Sequence, residues 1–166
     1  MAFSIAIDGP AGAGKSTIAK ELAKRLSFVY VDTGAMYRAI GLYLIRNQIS
    51  PKDESSVEKA CKEIQISISY EDGVQQVFLN GENVSEEIRK EEVGNMASAG
   101  AKNQKVREKL VELQRELASK ADVVMDGRDI GTCVLPNANV KIYLTASVHT
   151  RAVRRYQEYL AKGEKI

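Results

Sequence analysis

The run Gly9-Pro10-Ala11-Gly12-Ala13-Gly14-Lys15-Ser16 carries glycine at its first and sixth positions, then a lysine and a hydroxyl residue. This GxxxxGK[ST] spacing binds a polyphosphate when a strand precedes it and a helix follows. Glycines let the backbone wrap around phosphates with its N–H groups turned inward, and the helix amino terminus adds a partial positive charge. Lys15 supplies a mobile point charge for the β and γ phosphates, Ser16 a hydroxyl for Mg²⁺, and Thr17 continues the same turn. The chemistry implied is triphosphate binding; the bland alternative is a glycine-rich turn without a ligand.

The flanking residues predict the elements that such a loop requires. Residues 3–8 (FSIAID) form a short apolar run stopped by Gly9-Pro10, the mark of a buried parallel strand. Over 15–26, Ile18, Leu22 and Leu26 recur every four residues, with Ala19 and Ala23 widening the stripe and lysines opposite, which predicts a helix. Residues 28–31 (FVYV) predict a second strand. Thr33 is placed to cap a further helix, in which Met36, Ile40 and Leu44 repeat at one-turn spacing before Asn47. Strand, helix, strand, helix is the order of an α/β fold with a three-layer, doubly wound parallel sheet.

A weaker helix is expected over 55–63, after which the period changes from helical to alternating. Ile64, Ile66, Ile68 and Tyr70 alternate with polar residues, Glu71-Asp72-Gly73 makes a turn, and 74–79 runs into Asn80-Gly81, a hairpin signal. This predicts a small antiparallel insert, either a surface decoration or a substrate-gripping subdomain. A short charged helix is expected over 85–93 and an amphipathic one through Val106, Leu110, Leu113 and Leu117. Strands follow at 123–125, ending at Asp126-Gly127, and at 140–144, then a helix over 150–161 bearing Arg151, Arg154 and Arg155. Only four core strands are accounted for, so an incomplete chain is expected. The expected organisation is a core of 1–64, an insert of 65–92 and a second core part of 93–166.

Composition narrows the function classes. Apolar residues make up 44% and charged residues 28%, as in ordinary globular proteins. With 24 basic and 22 acidic residues the net charge is +2, too small to draw the whole molecule to nucleic acid or an anionic membrane. No apolar run approaches the roughly 20 residues that span a bilayer, and no signal-peptide pattern opens the chain. Cys61 and Cys133 are far apart and His149 is the sole histidine, so neither a disulfide framework nor a zinc site is expected. The expectation is a cytoplasmic monomer acting on small molecules, without nucleic-acid or membrane partners.

Among proteins with this loop, a GTPase needs an NKxD segment and an ABC-type ATPase an LSGGQ-like signature; the sequence has neither. Small-molecule kinases remain. Four stretches together resemble bacterial cytidylate kinases: 9–17, Asp32-Thr33-Gly34-Ala35-Met36-Tyr37-Arg38, Asn95-Met96-Ala97-Ser98 with Val106-Arg107, and Asp126-Gly127-Arg128-Asp129-Ile130-Gly131-Thr132.

That resemblance implies transfer of the γ-phosphoryl group of MgATP to CMP or dCMP, with Mg²⁺ as cofactor and residues 9–17 holding ATP. It implies Lys15, Arg38 and Arg128 as catalytic groups. Arg38 and Arg128 match arginines on the acceptor phosphate, where guanidinium forks suit bidentate contact. Asp32 and Thr33 match acceptor-side contacts, Thr33 replacing a frequent serine but keeping its hydroxyl; helix capping is their other role. Ser98, Arg107 and Asp129 match positions that read cytosine, whose amino donor and ring acceptors complement a carboxylate and an arginine, whereas uracil leaves an acceptor against the carboxylate. The insert resembles the family's nucleotide-binding subdomain, and the arginines at 151–155 precede what resembles its lid, incomplete here. Two other readings stay open: a kinase for another small metabolite, and a non-catalytic ATP-binding module.

Overall fold

The computed structural model describes residues 2–10, 12–71, 74–127 and 129–145. Ala11, the Asp72-Gly73 turn, Arg128 and the helix expected over 150–161 with Arg151, Arg154 and Arg155 lie outside them. In chain order the elements are β1 (Ser4–Asp8), α1 (Lys15–Leu26), β2 (Val29–Val31), α2 (Thr33–Arg46), α3 (Glu54–Glu63), β3 (Ile66–Glu71), β4 (Val74–Leu79), β5 (Glu82–Asn83), a 3₁₀ turn (Glu87–Arg89), α4 (Glu91–Gly100), α5 (Gln104–Lys120), β6 (Val123–Gly127), a π-helical turn (Ile130–Val134) and β7 (Val140–Tyr143). The fold is α/β, with a four-stranded parallel sheet and a separate three-stranded antiparallel sheet. The chain divides into two compact units, residues 1–30 with 121–166, and residues 31–120. No helix among the described residues is long and apolar enough to cross a membrane.

In the first unit the strand order is β2-β6-β1-β7, with β1 parallel to both neighbours. Registers of Asp8 with Gly127 and of Asp8 with Tyr143 bring the three strands to one carboxyl edge, where ligands bind in open α/β sheets. Ile5, Ile7, Ala19, Ala23, Tyr30 and Val124 form the core. Here the helical stripe differs from the sequence reading. Ala19 and Ala23 face inward with Leu22 partly covered, whereas Ile18 is 43% and Leu26 44% exposed. Alanine side chains allow a helix to lie close on a sheet, so the buried face of α1 is turned toward its small residues.

In the second unit α2 packs on α4, where Gly41 is required for the approach: a Cβ there would stand 3.0 Å from the Ala97 nitrogen. Asp32, not Thr33, caps α2, its carboxylate accepting the Ala35 N–H at 3.2 Å, and Thr33 is the first helical residue. The residue before the first turn, with extended φ and ψ, is the one whose side chain reaches those N–H groups. Asp53 caps α3 in the same way.

The antiparallel sheet is ordered β3-β4-β5. Asn80 (φ 50°) and Gly81 (φ 85°) make the two-residue turn between β4 and β5, the left-handed pair that such a hairpin demands. The helix expected over 85–93 is instead the 3₁₀ turn Glu87–Arg89, then an extended Lys90 (ψ 144°), then α4, which continues to Gly100. Lys90 breaks the helical path, and α4 carries Ser98.

Candidate active site

At the end of β1 the chain enters the glycine loop. Gly12 (φ 80°) and Gly14 (φ 85°) occupy left-handed conformations that other residues adopt only with strain. Ala13 N–H donates to the Pro10 carbonyl at 3.3 Å, and Ile18 N–H to Gly14 at 3.2 Å, so the loop passes directly into α1. Gly9 lies against the Leu144 carbonyl oxygen so closely that a Cβ would collide with it. Lys15 Nζ donates to the Pro10 carbonyl at 3.2 Å, which folds the ammonium back over the loop it follows. Ser16 and Thr17 are exposed on the first turn of α1.

The same edge of the sheet holds the segment after β6. Asp8, only 8% exposed, accepts the Ile130 N–H at 2.6 Å through Oδ1 and the Gly131 N–H at 2.8 Å through Oδ2. Gly9 N–H donates to the Gly127 carbonyl at 3.1 Å, and Tyr30 Oη donates to Asp126 Oδ1 at 2.8 Å. Residues on both sides of Arg128 are therefore tied to the strand that leads into the phosphate loop, and Asp129 is left exposed. Asp8 was not among the residues singled out from the sequence. Its signal is an acid closing an apolar strand, a charge that burial tolerates only with partners.

In the second unit the candidate residues come from three helices. Arg38 of α2 is half-buried; its Nη1 donates to the Ile88 carbonyl at 2.8 Å. Beneath it lies Gly94 of α4, where a Cβ would stand 3.1 Å from Nη2. Gly94 and Ser98 are four residues apart and so share a face of α4. Arg107 of α5 is exposed and donates to the Ala101 carbonyl at 3.3 Å. Two turns further along α5, Gln114 donates from Nε2 to Thr33 Oγ1 at 3.0 Å. Thr33, Arg38, Ser98 and Arg107 thus belong to one unit, and the phosphate loop and Asp129 to the other. Sequence reasoning also passed over Ile88, Gly94 and Gln114. A glycine inside a helix was a visible signal; the other two gave none.

The end of α2 is fastened to the small sheet by Arg46. Its guanidinium donates to both Glu82 oxygens at 2.9 Å and to Glu87 Oε2 at 2.7 Å. These hydrogen bonds hold the Glu82 carboxyl below its ordinary range. Cys61 is buried beside α5, and that burial pushes its thiol up; a protonated thiol of this kind is a packing group rather than a nucleophile.

The cytidylate kinase family model matches residues 5–166. This chain belongs to the cytidylate kinase family. It is 54% identical over 164 residues to the cytidylate kinase of Caldicellulosiruptor bescii, covering 99% of this chain and 73% of that protein. It is 53% identical over 166 residues to the cytidylate kinase of Caldanaerobacter subterraneus subsp. tengcongensis, covering 100% of this chain and 72% of that one. With the cytidylate kinase of Bacillus thuringiensis the identity is 53% over 161 residues, 97% of this chain and 72% of the relative. The resemblance to cytidylate kinases read from four short stretches therefore extends across the chain, and the α/β class expected with it is the one observed.

Proposed function

We propose that the protein is an ATP-dependent nucleoside monophosphate kinase that transfers the γ-phosphoryl group of ATP to CMP or dCMP, giving ADP and CDP or dCDP. The observation that carries this reading is the glycine loop itself, with left-handed Gly12 and Gly14 and the Lys15 ammonium turned over it, in a chain of the cytidylate kinase family. The loop N–H groups and the start of α1 hold the phosphate tail. Lys15 exchanges the Pro10 carbonyl for the β and γ oxygens and follows the charge as it develops.

The acceptor phosphate is already an anionic nucleophile, so no covalent intermediate on the protein is required. The task is alignment of two negative groups and neutralisation of their charge. Arg38 and Arg128 grip the acceptor phosphate; Asp32 and Thr33 lie on its side of the site. Ser98, Arg107 and Asp129 read the cytosine ring, and the antiparallel insert contributes to the nucleotide pocket.

Ser16 fits Mg²⁺: it offers a hard hydroxyl oxygen, and Mg²⁺ is commonly held by one or two protein oxygens together with substrate phosphates and water. Bound with ATP, the ion neutralises charge on the β and γ phosphates. We further read the protein as a cytoplasmic monomer, and as one without nucleic-acid or membrane partners, the latter in keeping with its near-neutral charge of +2.

The test is ADP formation across CMP, dCMP, UMP, AMP and GMP, each with ATP and Mg²⁺. CMP or dCMP should give the highest kcat/KM. Equal or faster turnover of AMP or GMP removes the cytidylate assignment, and ATP binding without acceptor-stimulated ADP release removes the kinase assignment.

A further inference from the structure

Gln114 is a polar side chain in an apolar setting. It is 2% exposed, on the buried face of α5 that also carries Leu110 and Leu113. Burying an amide is unfavourable unless its hydrogen bonds are made inside, so its partner is a structural commitment. That partner is Thr33 Oγ1, which receives Nε2–H at 3.0 Å across 81 residues of sequence.

A threonine hydroxyl has one hydrogen and two lone pairs. At the start of a helix it often turns inward as a cap, but here Asp32 already accepts the Ala35 N–H. The Thr33 oxygen instead accepts from Gln114, which fills a lone pair and leaves the hydroxyl hydrogen to be donated elsewhere. Because threonine is branched at Cβ, few χ1 positions compete with the one that Gln114 holds. Thr33 is half-exposed, so its hydrogen is available to an outside acceptor.

We propose that Gln114 is a positioning residue for the acceptor nucleotide: its amide takes a lone pair of Thr33 and presents the Thr33 O–H as a fixed donor to the acceptor phosphate. The proposal rests on the reading of Thr33 as an acceptor contact. Gln114 itself touches no substrate. Its chemistry is directional, since a donor at this place aims the hydroxyl outward while an acceptor would draw the hydrogen inward and leave a lone pair facing an anion.

The experiment measures KM for CMP, KM for ATP and kcat, with urea midpoints, for the full chain and for Thr33→Val, Thr33→Ser, Gln114→Met, Gln114→Glu and the Thr33→Val/Gln114→Met double variant. Thr33→Val should raise KM for CMP, and Thr33→Ser should restore it. Gln114→Met should raise KM for CMP by about two- to tenfold, the worth of one hydrogen bond, leave KM for ATP in place, and add nothing in the Thr33→Val background. Gln114→Glu, isosteric but accepting when ionised, should raise KM for CMP further, and relative to wild type the defect should shrink as pH falls and the carboxyl regains a donor hydrogen. This variant carries the test alone if Gln114→Met does not fold.

A Thr33→Val enzyme with wild-type KM for CMP removes the reading of Thr33. If Thr33→Val is impaired but Gln114→Met is not, or Gln114→Met acts equally on ATP or equally in the Thr33→Val background, Gln114 only packs α2 against α5 and the proposal is overturned. A Gln114→Glu defect that does not depend on pH overturns it as well.

Discussion

The Asp8 carboxylate accepts the Gly131 N–H at 2.8 Å across 123 residues of sequence, beside its bond to Ile130. A residue at the end of the first strand thereby holds the turn that follows Asp129. Gly131 is pressed against it, a Cβ there standing 3.1 Å from Asp8 Oδ2.

Replacing Asp8 by Asn should therefore damage stability before chemistry. The amide keeps one acceptor but turns its NH₂ group on a backbone N–H, leaving a buried donor unpaired. A loss of about 2–3 kcal/mol is expected, read from the urea midpoint. An unchanged midpoint means that the bond lost in the amide adds nothing to folding.

Lys15→Met should do the reverse. The ammonium rests on the Pro10 carbonyl of its own loop, so folding should change by about 1 kcal/mol or less, while kcat falls by about a hundred- to a thousandfold, as when a charge-stabilising donor is removed. Steady-state assays with CMP, paired with thermal melting, separate the two effects. Full activity contradicts the role given to Lys15.

Gly94→Ala tests the seating of Arg38. The added methyl would stand 3.1 Å from Nη2 and must displace the guanidinium. Alanine favours a helix interior by about 1 kcal/mol over glycine, so stability should hold or rise. The guanidinium must give by a few tenths of an ångström, so KM for CMP should rise by about two- to tenfold, because misplaced positioning groups are costly, with KM for ATP unchanged. Parallel melting curves and CMP titrations decide the point; an unaltered KM for CMP means that Arg38 tolerates the shift.

The Arg46 cluster should shape stability in acid. Hydrogen bonds from Arg46 lower the Glu82 carboxyl below its ordinary value of 4.5. A depressed folded value means that the contribution is fully present above the unfolded value and is lost as pH falls through the folded one. Urea midpoints between about pH 6 and pH 3 should fall less steeply for Arg46→Ala than for wild type. Parallel curves for the two proteins exclude the cluster as a source of the acid dependence.

Amino-acid order by itself determined the phosphate loop, the α/β alternation and the Asn80-Gly81 hairpin, because their requirements are local. Glycines must stand where φ is positive, an apolar run must precede them, and a helical period must follow. Order also displayed the four stretches that resemble cytidylate kinases. Tertiary structure alone decided which part of the α1 stripe is buried: Ala19 and Ala23 lie against the sheet, Leu22 is partly covered, and Ile18 and Leu26 are left exposed. It decided that Asp32 rather than Thr33 caps α2, that Ile88 and Gly94 seat Arg38, and that Asp8 and Gln114 find partners 122 and 81 residues away. A buried polar group must be paired, but which distant atom pairs with it is settled only when the elements pack.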